Sequence, residues 1–191
     1  MKKFITVLLL ICPLLAFAQD LVSFKLTPEG TFTTISDEDY MVIPFEGKSA
    51  HEIYQTLASN VGSVYNDPSK VMSGVDDASI KIRSIIPISQ KIDKIFMLGD
   101  VLIEVNGYMQ YEIRIKDGRV RVTAPYIEND IWIDGGASGN FRNLVSQWFK
   151  PEKKEKKRVE NEKKITELEM RVNSVINSVL GLNKTQEDDN W

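Results

Sequence analysis

The amino-acid sequence predicts an α+β fold of two layers, in which one helix packs on one face of a twisted antiparallel sheet. Three features lead to this prediction. A short apolar run precedes an amphipathic helical pattern, several segments of alternating apolar and polar residues follow, and a second helical pattern lies near the C-terminus. The predicted order is β-α-β-β-β-β, with an additional C-terminal helix.

The first strand and the covering helix are predicted from local signals. Residues 40–45 form a short apolar run that Gly47 terminates, as expected of a strand. Ser49 and Glu52 have the spacing of a capping box, in which each side chain binds a free backbone amide at the start of a helix. The apolar residues that follow at helical spacing are Ala50, Ile53, Tyr54, Leu57, Ala58 and Val61.

The strongest strand signal is the dipeptide Asp117-Gly118, which is typical of a two-residue hairpin turn. With this turn, the apolar residues of both strands lie on the same face. The register also places Arg114 opposite Arg121, a like-charge pair that costs stability unless another group compensates it. The other predicted pairs are Lys116 with Arg119, Ile115 with Val120, Ile113 with Val122 and Tyr111 with Ala124.

A second hairpin is expected at Asn106-Gly107. A two-residue loop would place polar residues opposite apolar ones, so we prefer a three-residue loop, residues 106–108, followed by a bulge. An earlier strand is predicted over residues 78–88, where isoleucines alternate with polar residues.

The segments around the predicted domain are assigned from composition. The α+β domain is expected to span residues 40–127, and the turn-rich residues 19–39 are treated as a lead-in to it. Residues 128–150 are interpreted as a linker that contains a short helix from Asn140 to Phe149.

The C-terminal part, residues 151–183, begins with a highly charged stretch and continues as a helix with heptad-like spacing. Residues 184–191 are expected to be a disordered tail. A short isolated helix is marginal in water, so its apolar stripe must pack on its own domain or on a partner. Self-association and docking to another envelope protein therefore both stay open. The candidate contact residues are Ile165, Leu168, Val172, Val175, Val179 and Leu182.

The N-terminus, residues 1–18, has the three parts of a secretory signal peptide. Two lysines precede an apolar stretch from Phe4 to Leu15, and small residues follow at the positions that signal peptidase reads. Cleavage is expected after Ala18, so we predict an exported protein, either periplasmic or secreted, with no transmembrane segment after cleavage.

Two alternatives to a cleaved signal peptide are less favoured. An uncleaved anchor would need a longer apolar stretch to span a bilayer. A lipoprotein would use Cys12, but Ile11 stands before it where a small residue is expected.

Composition limits the chemistry that the exported chain can perform. Its only cysteine is Cys12, so cleavage would leave no disulfide, no thiol nucleophile and no thiolate metal ligand. The chain contains 24 Lys and Arg against 27 Asp and Glu, and this acidic balance disfavours bulk binding to polyanions such as nucleic acids. We predict no cofactor and no metal.

Signals of catalysis are weak in this sequence. The single histidine, His51, is interpreted as an exposed helix residue, and no serine lies in a G-x-S-x-G motif. The acidic groups at 37–39 and 76–77, and the pair Asp130 and Asp134, could act as general acid and base. We interpret them as solvated loop acids, and we predict no catalytic residue.

Two segments resemble a family of exported bacterial proteins, the domain of unknown function 4468, which is described as having a TBP-like fold. Residues 42–49, followed by Glu52-Ile53-Tyr54, are similar to the start of that domain, and residues 111–121 are similar to its hairpin. The resemblance covers residues 40–127 and implies a TBP-like fold and an exported setting. It implies no catalytic residue, because the family has no assigned activity, and a fold alone does not imply DNA binding.

Basic residues on the predicted outer face of the sheet form the candidate binding site. They point away from the helix-covered face, because strand residues alternate between the two faces of a sheet. Such a surface could accept an anionic ligand, for example an acidic protein or an envelope glycan; the alternative is a solvated face with local salt bridges. The candidate residues are Arg83, Arg114, Lys116, Arg119 and Arg121, with Lys81 nearby.

Taken together, these patterns favour an exported, non-catalytic binding or scaffolding module of the bacterial cell envelope. The sheet face and the C-terminal helix would supply the contacts. One alternative is a hydrolase of envelope glycans that uses a carboxylate pair. A second alternative, nucleic-acid binding through the sheet, is disfavoured by export and by the acidic net charge.

Overall fold

The computed structural model describes residues 21–95, 99–133 and 136–183. The predicted signal peptide, residues 1–18, and the predicted tail, residues 184–191, lie outside the described residues. Within the described segments, no helix is both long enough and apolar enough to cross a membrane.

The described chain confirms the predicted α+β class. Its largest sheet has seven strands in the order β3-β7-β6-β5-β4, with β8 paired to β6 and β9 paired to β8, whereas β1 and β2 form a separate sheet. Every strand pair is antiparallel. The elements are β1 (Lys25–Leu26), β2 (Phe32–Thr33), β3 (Tyr40–Pro44), α1 (Ala50–Val64), α2 (Pro68–Val71), β4 (Met72–Val75), β5 (Ser79–Ile95), β6 (Gly99–Lys116), β7 (Arg119–Thr123), β8 (Tyr126–Ile133), β9 (Ser138–Asn140), α3 (Phe141–Trp148) and α4 (Glu155–Leu180).

The hydrophobic core lies between the inner face of the large sheet and the helices. The predicted covering helix, α1, is joined there by α3 and α4, and all three contribute buried side chains to one cluster. Burial of this apolar surface is the main stabilising contribution to the fold. Fully buried residues of the sheet include Ile80, Ile82, Met109, Ile113 and Val122, and those of the helices include Ile53, Leu57, Phe141, Leu168 and Val172.

The predicted capping box of α1 is confirmed. The Ser49 backbone amide donates to Glu52 Oε2 at 2.8 Å, and the Glu52 amide donates to Ser49 Oγ at 3.3 Å. Asp117, in the turn between β6 and β7, adds a further cap, because its Oδ1 accepts from the Ala50 amide at 2.7 Å. These bonds satisfy amides that a helix start leaves free, and they fix the hairpin turn against α1.

The β6–β7 hairpin has the predicted register from its turn to the pair Ile113 and Val122. Gly118 has a φ of 73°, a left-handed conformation that favours glycine. The ladder ends before the predicted pair of Tyr111 with Ala124. At that level, Thr123 Oγ1 accepts from the backbone amide of Glu112 and donates to its carbonyl, so a side chain replaces the strand pairing.

The predicted turn at Asn106-Gly107 is wrong. β6 runs through both residues, and Asn106 lies opposite Pro87 of β5 while Gly107 lies opposite Ile86. The glycine is required by packing instead, because a Cβ there would lie 2.8 Å from Ile88 Cδ1. The predicted bulge after this turn is replaced by a register shift in β5, between Pro87 and Ser89.

The sheet continues past residue 127, where we placed the end of the domain. β8 pairs with β6 through Ile133, and β9 pairs with β8. The short helix expected between residues 140 and 149 is confirmed as α3, and Asn140 Oδ1 caps it by accepting from Asn143 N at 3.0 Å. Because Ile131 and Phe141 are buried in the common core, residues 128–133 and 136–150 belong to the same folded unit and are not a linker.

The first described part of the lead-in, residues 21–33, packs on the core, whereas residues 35–39 are exposed. Val22, Phe24, Leu26 and Phe32 are buried in the core, and the backbone of the first three is hydrogen-bonded to α4. The sequence pattern did not predict this contact, because the two segments lie at opposite ends of the chain.

Candidate functional site

The outer face of the large sheet is the candidate site. Successive side chains of β6 and β7 point to opposite faces of the sheet. Ile113, Ile115 and Val122 are therefore buried in the core, and the neighbouring basic residues are exposed on the other face. The alternation in the sequence therefore predicted correctly which face the basic side chains of β6 and β7 occupy.

Four basic residues form a compact group that we call the cationic hairpin: Arg114, Lys116, Arg119 and Arg121. Arg114 lies directly opposite Arg121, and Lys116 lies directly opposite Arg119. All four side chains are exposed. Opposed like charges on neighbouring strands are destabilising, so the fold gains nothing from this arrangement.

Only part of this positive charge is compensated by neighbouring groups. Arg114 Nε donates to Glu112 Oε2 at 3.0 Å, and the Arg121 guanidinium lies 4.0 Å from the centre of the Tyr40 ring. In the part of the chain that the structure describes, neither Lys116 nor Arg119 forms an ion pair. The cationic hairpin therefore presents positive charge to solvent.

Arg83, the fifth predicted site residue, is held in a separate group. Its Nε and Nη2 donate to the two carboxylate oxygens of Glu128 at 2.7 and 3.0 Å, and its guanidinium lies 3.6 Å from the centre of the Tyr108 ring. The hydrogen bond from Arg83 lowers the pKa of Glu128, which also accepts from Gln110. The bidentate pair with Glu128 thus uses two of the five N–H donors of Arg83 and fixes the orientation of its guanidinium.

A shallow cavity of about 410 Å³ lies between the Arg83 group and the cationic hairpin. Residues of strands β4 to β8 line it, and it lies where β7 stops pairing with β6. The outward side chains that line it are Ser73, Lys81, Arg83, Gln110, Glu112, Thr123 and Tyr126.

Sequence reasoning missed the contribution of β8 to this face. Glu128 orients Arg83, and the Trp132 ring lies 5.2 Å from the Tyr108 ring, measured between centroids. A usable signal existed, because residues 126–133 alternate between outward polar or aromatic side chains and inward Ile127 and Ile131. The glycine-rich stretch that follows, residues 135–139, instead favours the interpretation of residues 128–150 as a linker.

Two of the acidic candidates, Asp76 and Asp77, contact side chains of α1. Asp77 Oδ1 lies 3.0 Å from His51 Nδ1 and accepts from it in the tautomer that carries a proton on Nδ1, and Tyr54 Oη donates to Asp76 Oδ1 at 2.7 Å. Both acids thus join the β4–β5 turn to α1, and Asp134 lies outside the described residues. Within the described segments, no group of three or more acidic or histidine side chains could hold a metal.

The apolar stripe of α4 is used inside the chain. Leu168, Val172 and Val179 are fully buried, and the remaining three candidates, Ile165, Val175 and Leu182, pack against the same core. Of the two alternatives left open by the sequence, packing on its own domain is the one the structure adopts. A partner would therefore have to bind a different surface.

The chain is similar to two solved structures at low sequence identity. One is a DUF4468 family protein from Bacteroides ovatus, with a TM-score of 0.48 and 13% identity, covering 90% of this chain and 95% of that chain. The other is a TBP-like protein from Parabacteroides distasonis, with a TM-score of 0.46 and 11% identity, covering 73% of this chain and 90% of that chain. The sequence matches no protein-family model and no curated protein. The first structure carries the name of the family that residues 42–49 and 111–121 resemble. The second carries the name of the fold that this resemblance implies.

Proposed function

We propose that this protein is an exported, non-catalytic binding module of the bacterial cell envelope, and that it binds an anionic partner on the outer face of its sheet. The observation that carries the proposal is the position of Arg114 opposite Arg121, on an exposed face. A pair that costs stability is expected where a protein needs it for function.

The geometry of the cationic hairpin favours a repeating anion over a single small one. Positions two residues apart along a strand are about 6.8 Å apart, and directly opposed residues on paired strands are about 5 Å apart. The four basic side chains therefore form a small grid on which successive carboxylates of an acidic protein or glycan can each meet a cation. Glu112 and Tyr40 hold two of the guanidinium groups in place, and only Glu112 offsets part of the positive charge of the group.

Binding to an immobilised polyanion tests this function. The purified protein is applied to polygalacturonate at low salt, and we expect retention that weakens as salt rises, because charge contacts are screened. Arg114→Glu with Arg121→Glu should abolish retention. Lys153→Glu with Lys156→Glu, two exposed lysines that lie outside the sheet, changes the net charge equally and should leave retention unchanged.

Equal retention of the two double variants would overturn the proposal, because the hairpin would then contribute no more than net charge. Crosslinking in the native envelope, followed by mass spectrometry, tests the setting. We expect a partner that is lost in the Arg114→Glu, Arg121→Glu variant, and a mature chain that begins at Gln19. A chain that stays in the cytoplasm with its first 18 residues would contradict export.

A further inference from the structure

The cavity beside the cationic hairpin has a specific structural cause. β7 pairs with β6 as far as Val122, and β8 takes up pairing with β6 again only at Tyr126, opposite Gln110. Between these points Thr123 still pairs with Tyr40 of β3, but it meets β6 only through its hydroxyl, which satisfies the Glu112 backbone. The outer face is therefore recessed at this level without any unsatisfied backbone group at Glu112.

Lys81 supplies a free positive charge in this cavity. It lies directly opposite Glu112 in the β5–β6 ladder, which is the usual position for a cross-strand ion pair. The Glu112 carboxylate instead accepts from Arg114 Nε at 3.0 Å, and no ion pair of Lys81 is found among the described residues. An exposed ammonium without a partner, beside a recess, is suited to an anionic group of a ligand.

The rest of the lining contains further polar side chains beside Ile82, Tyr111 and Ala124. Arg83 uses Nε and Nη2 on Glu128, and its Nη1 takes no part in that bidentate pair. The hydroxyl groups of Ser73 and Tyr126 are free within the described residues, and the Tyr126 side chain is exposed. The two hydroxyl groups can donate to and accept from hydroxyl groups of a ligand, a guanidinium can only donate, and the Tyr126 ring offers an apolar contact.

We propose that this cavity binds a sugar that carries a carboxylate, as one unit of an acidic glycan, with the carboxylate on Lys81 and the hydroxyl groups on Ser73 and Tyr126. The cavity volume of about 410 Å³ lies in the range of small-ligand sites. This inference rests on the proposed function: the next acidic units of the same glycan would cross Glu112 and reach the cationic hairpin.

Titration with D-galacturonate, followed by NMR, tests the cavity by itself. We expect saturable shifts at Lys81, Ser73 and Tyr126, and weaker binding by at least about tenfold in Lys81→Met, because one charge-assisted contact is lost. Lys81→Arg should keep most of the affinity, and it shows that the site tolerates substitution. Galactose and acetate should each bind at least about tenfold more weakly than galacturonate, because each lacks half of the recognised chemistry.

Three results would overturn the inference: no saturable shift with galacturonate, equal binding by wild type and Lys81→Met, or equal binding of galacturonate and either control. Retention on polygalacturonate separates this failure from that of the proposed function. If the polymer is retained through Arg114 and Arg121 while the monomer does not bind, the cavity inference fails and the anionic-partner function stands. If the polymer is not retained at all, the proposed function fails as well.

Discussion

Asn177 of α4 and Val22 exchange two hydrogen bonds, although they lie 155 positions apart in the chain. The Val22 amide donates to Asn177 Oδ1 at 2.8 Å, and Asn177 Nδ2 donates to the Val22 carbonyl at 2.9 Å. Asn173 makes the same pair of bonds with Phe24, one helical turn away. The extended N-terminal segment is thus bound to the C-terminal helix through its backbone.

The spacing of the two elements explains this arrangement. Residues four apart on a helix are separated by about 6 Å along its axis, and residues two apart on an extended chain by about 6.6 Å. A third bond follows the same progression, since the Leu26 amide donates to Glu169 Oε1 at 2.9 Å. One row of polar side chains on α4 therefore matches every second residue of the segment, and the residues Val22, Phe24 and Leu26 turn their side chains into the core.

Replacing Asn177 should be costly. Asn177→Ala leaves the amide and the carbonyl of Val22 without partners in a buried position, which should lower the free energy of unfolding by about 1–3 kcal/mol. Urea unfolding followed by circular dichroism measures the change. Asn183→Ala serves as the control, because Asn183 is exposed and binds Ser174 and Ser178 at the end of the same helix. Coincident unfolding curves for the two variants would show that the Val22 contact contributes little.

Gly107 provides a test of the packing that replaces the predicted turn. A Cβ at this position would lie 2.8 Å from Ile88 Cδ1, so Gly107→Ala should destabilise the protein by about 1–3 kcal/mol through overpacking. Ile88→Val removes that Cδ1 atom, and the double variant should therefore recover part of the loss relative to the sum of the single changes.

Additive effects of Gly107→Ala and Ile88→Val in chemical unfolding would contradict this account. Gly139→Ala is the matched control, because the nearest atom to its Cβ would be Ile131 Cγ1 at an ordinary 3.5 Å. It should change the free energy of unfolding by less than about 0.5 kcal/mol.

The contrast between two glycine dipeptides shows what the sequence could predict. Asp117-Gly118 forms the expected turn. Its backbone conformation, and the face of the sheet to which the strand residues on either side point, both depend on residues close by in the sequence. Asn106-Gly107 has a similar local signal but lies inside β6, where contacts with Ile88 and Ile131 decide the conformation. Local chemistry predicts a structure only where distant contacts do not override it.

The same distinction explains the outcome for the candidate site. The facing of Arg114 and Arg121 was predictable from alternation, because a strand with one buried face has a fixed register. The partners of Arg83 were not, because Glu128 reaches it from β8, a strand whose place in the sheet depends on the break after Thr123. The hydrogen bonds from α4 side chains to the backbone of Val22 were also unpredictable, because they depend on a contact between distant segments. Each polar side chain alone resembles an ordinary surface residue of a helix.

Gly118 should be sensitive to any side chain for a conformational reason alone. Its φ is 73°, and no atom lies within 4 Å of the position of an added Cβ. Gly118→Ala should therefore lower the free energy of unfolding by about 1–2 kcal/mol, the cost of a left-handed backbone for an L-residue. Gly62→Ala should have the opposite sign, because Gly62 lies within α1 and its Cβ would meet only Pro68 Cγ at 3.9 Å. Thermal unfolding distinguishes the two, and a stabilised Gly118→Ala would contradict the assignment.

Glu52 should contribute to stability in a pH-dependent manner. Its pKa lies below the usual value because its carboxylate accepts hydrogen bonds from the Ser49 backbone amide and hydroxyl. A folded-state pKa below that of the unfolded chain means that the stabilisation is present above the unfolded pKa and is lost as pH falls through the folded one.

An NMR titration of the Glu52 carboxyl group measures this directly. We expect a pKa below that of an exposed glutamate in wild type, and a rise part of the way towards that value in Ser49→Ala, which keeps the backbone bond but removes the hydroxyl. The stability difference between wild type and Glu52→Gln should also shrink as the solution is acidified. An unchanged titration in Ser49→Ala would show that the hydroxyl does not act on Glu52.

Arg119 allows the stability cost of the cationic hairpin to be measured apart from its other contacts. It lies opposite Lys116, and neither side chain forms an ion pair in the described chain. Arg119→Gln removes one of two opposed charges, so it should raise the free energy of unfolding by about 0.2–1 kcal/mol at low salt. The gain should disappear near 1 M salt, where the screening length is only about 3 Å. Lys153→Gln removes the same charge from an exposed position outside the strands, and it should show no such salt-dependent gain. If the Arg119→Gln variant is also less well retained on polygalacturonate, Arg119 both weakens the fold and strengthens binding, as expected of a charge that serves a partner. If the variant is instead less stable than wild type at low salt, the pair of Arg119 with Lys116 is favourable in itself. The stability cost of the cationic hairpin would then no longer support a binding function.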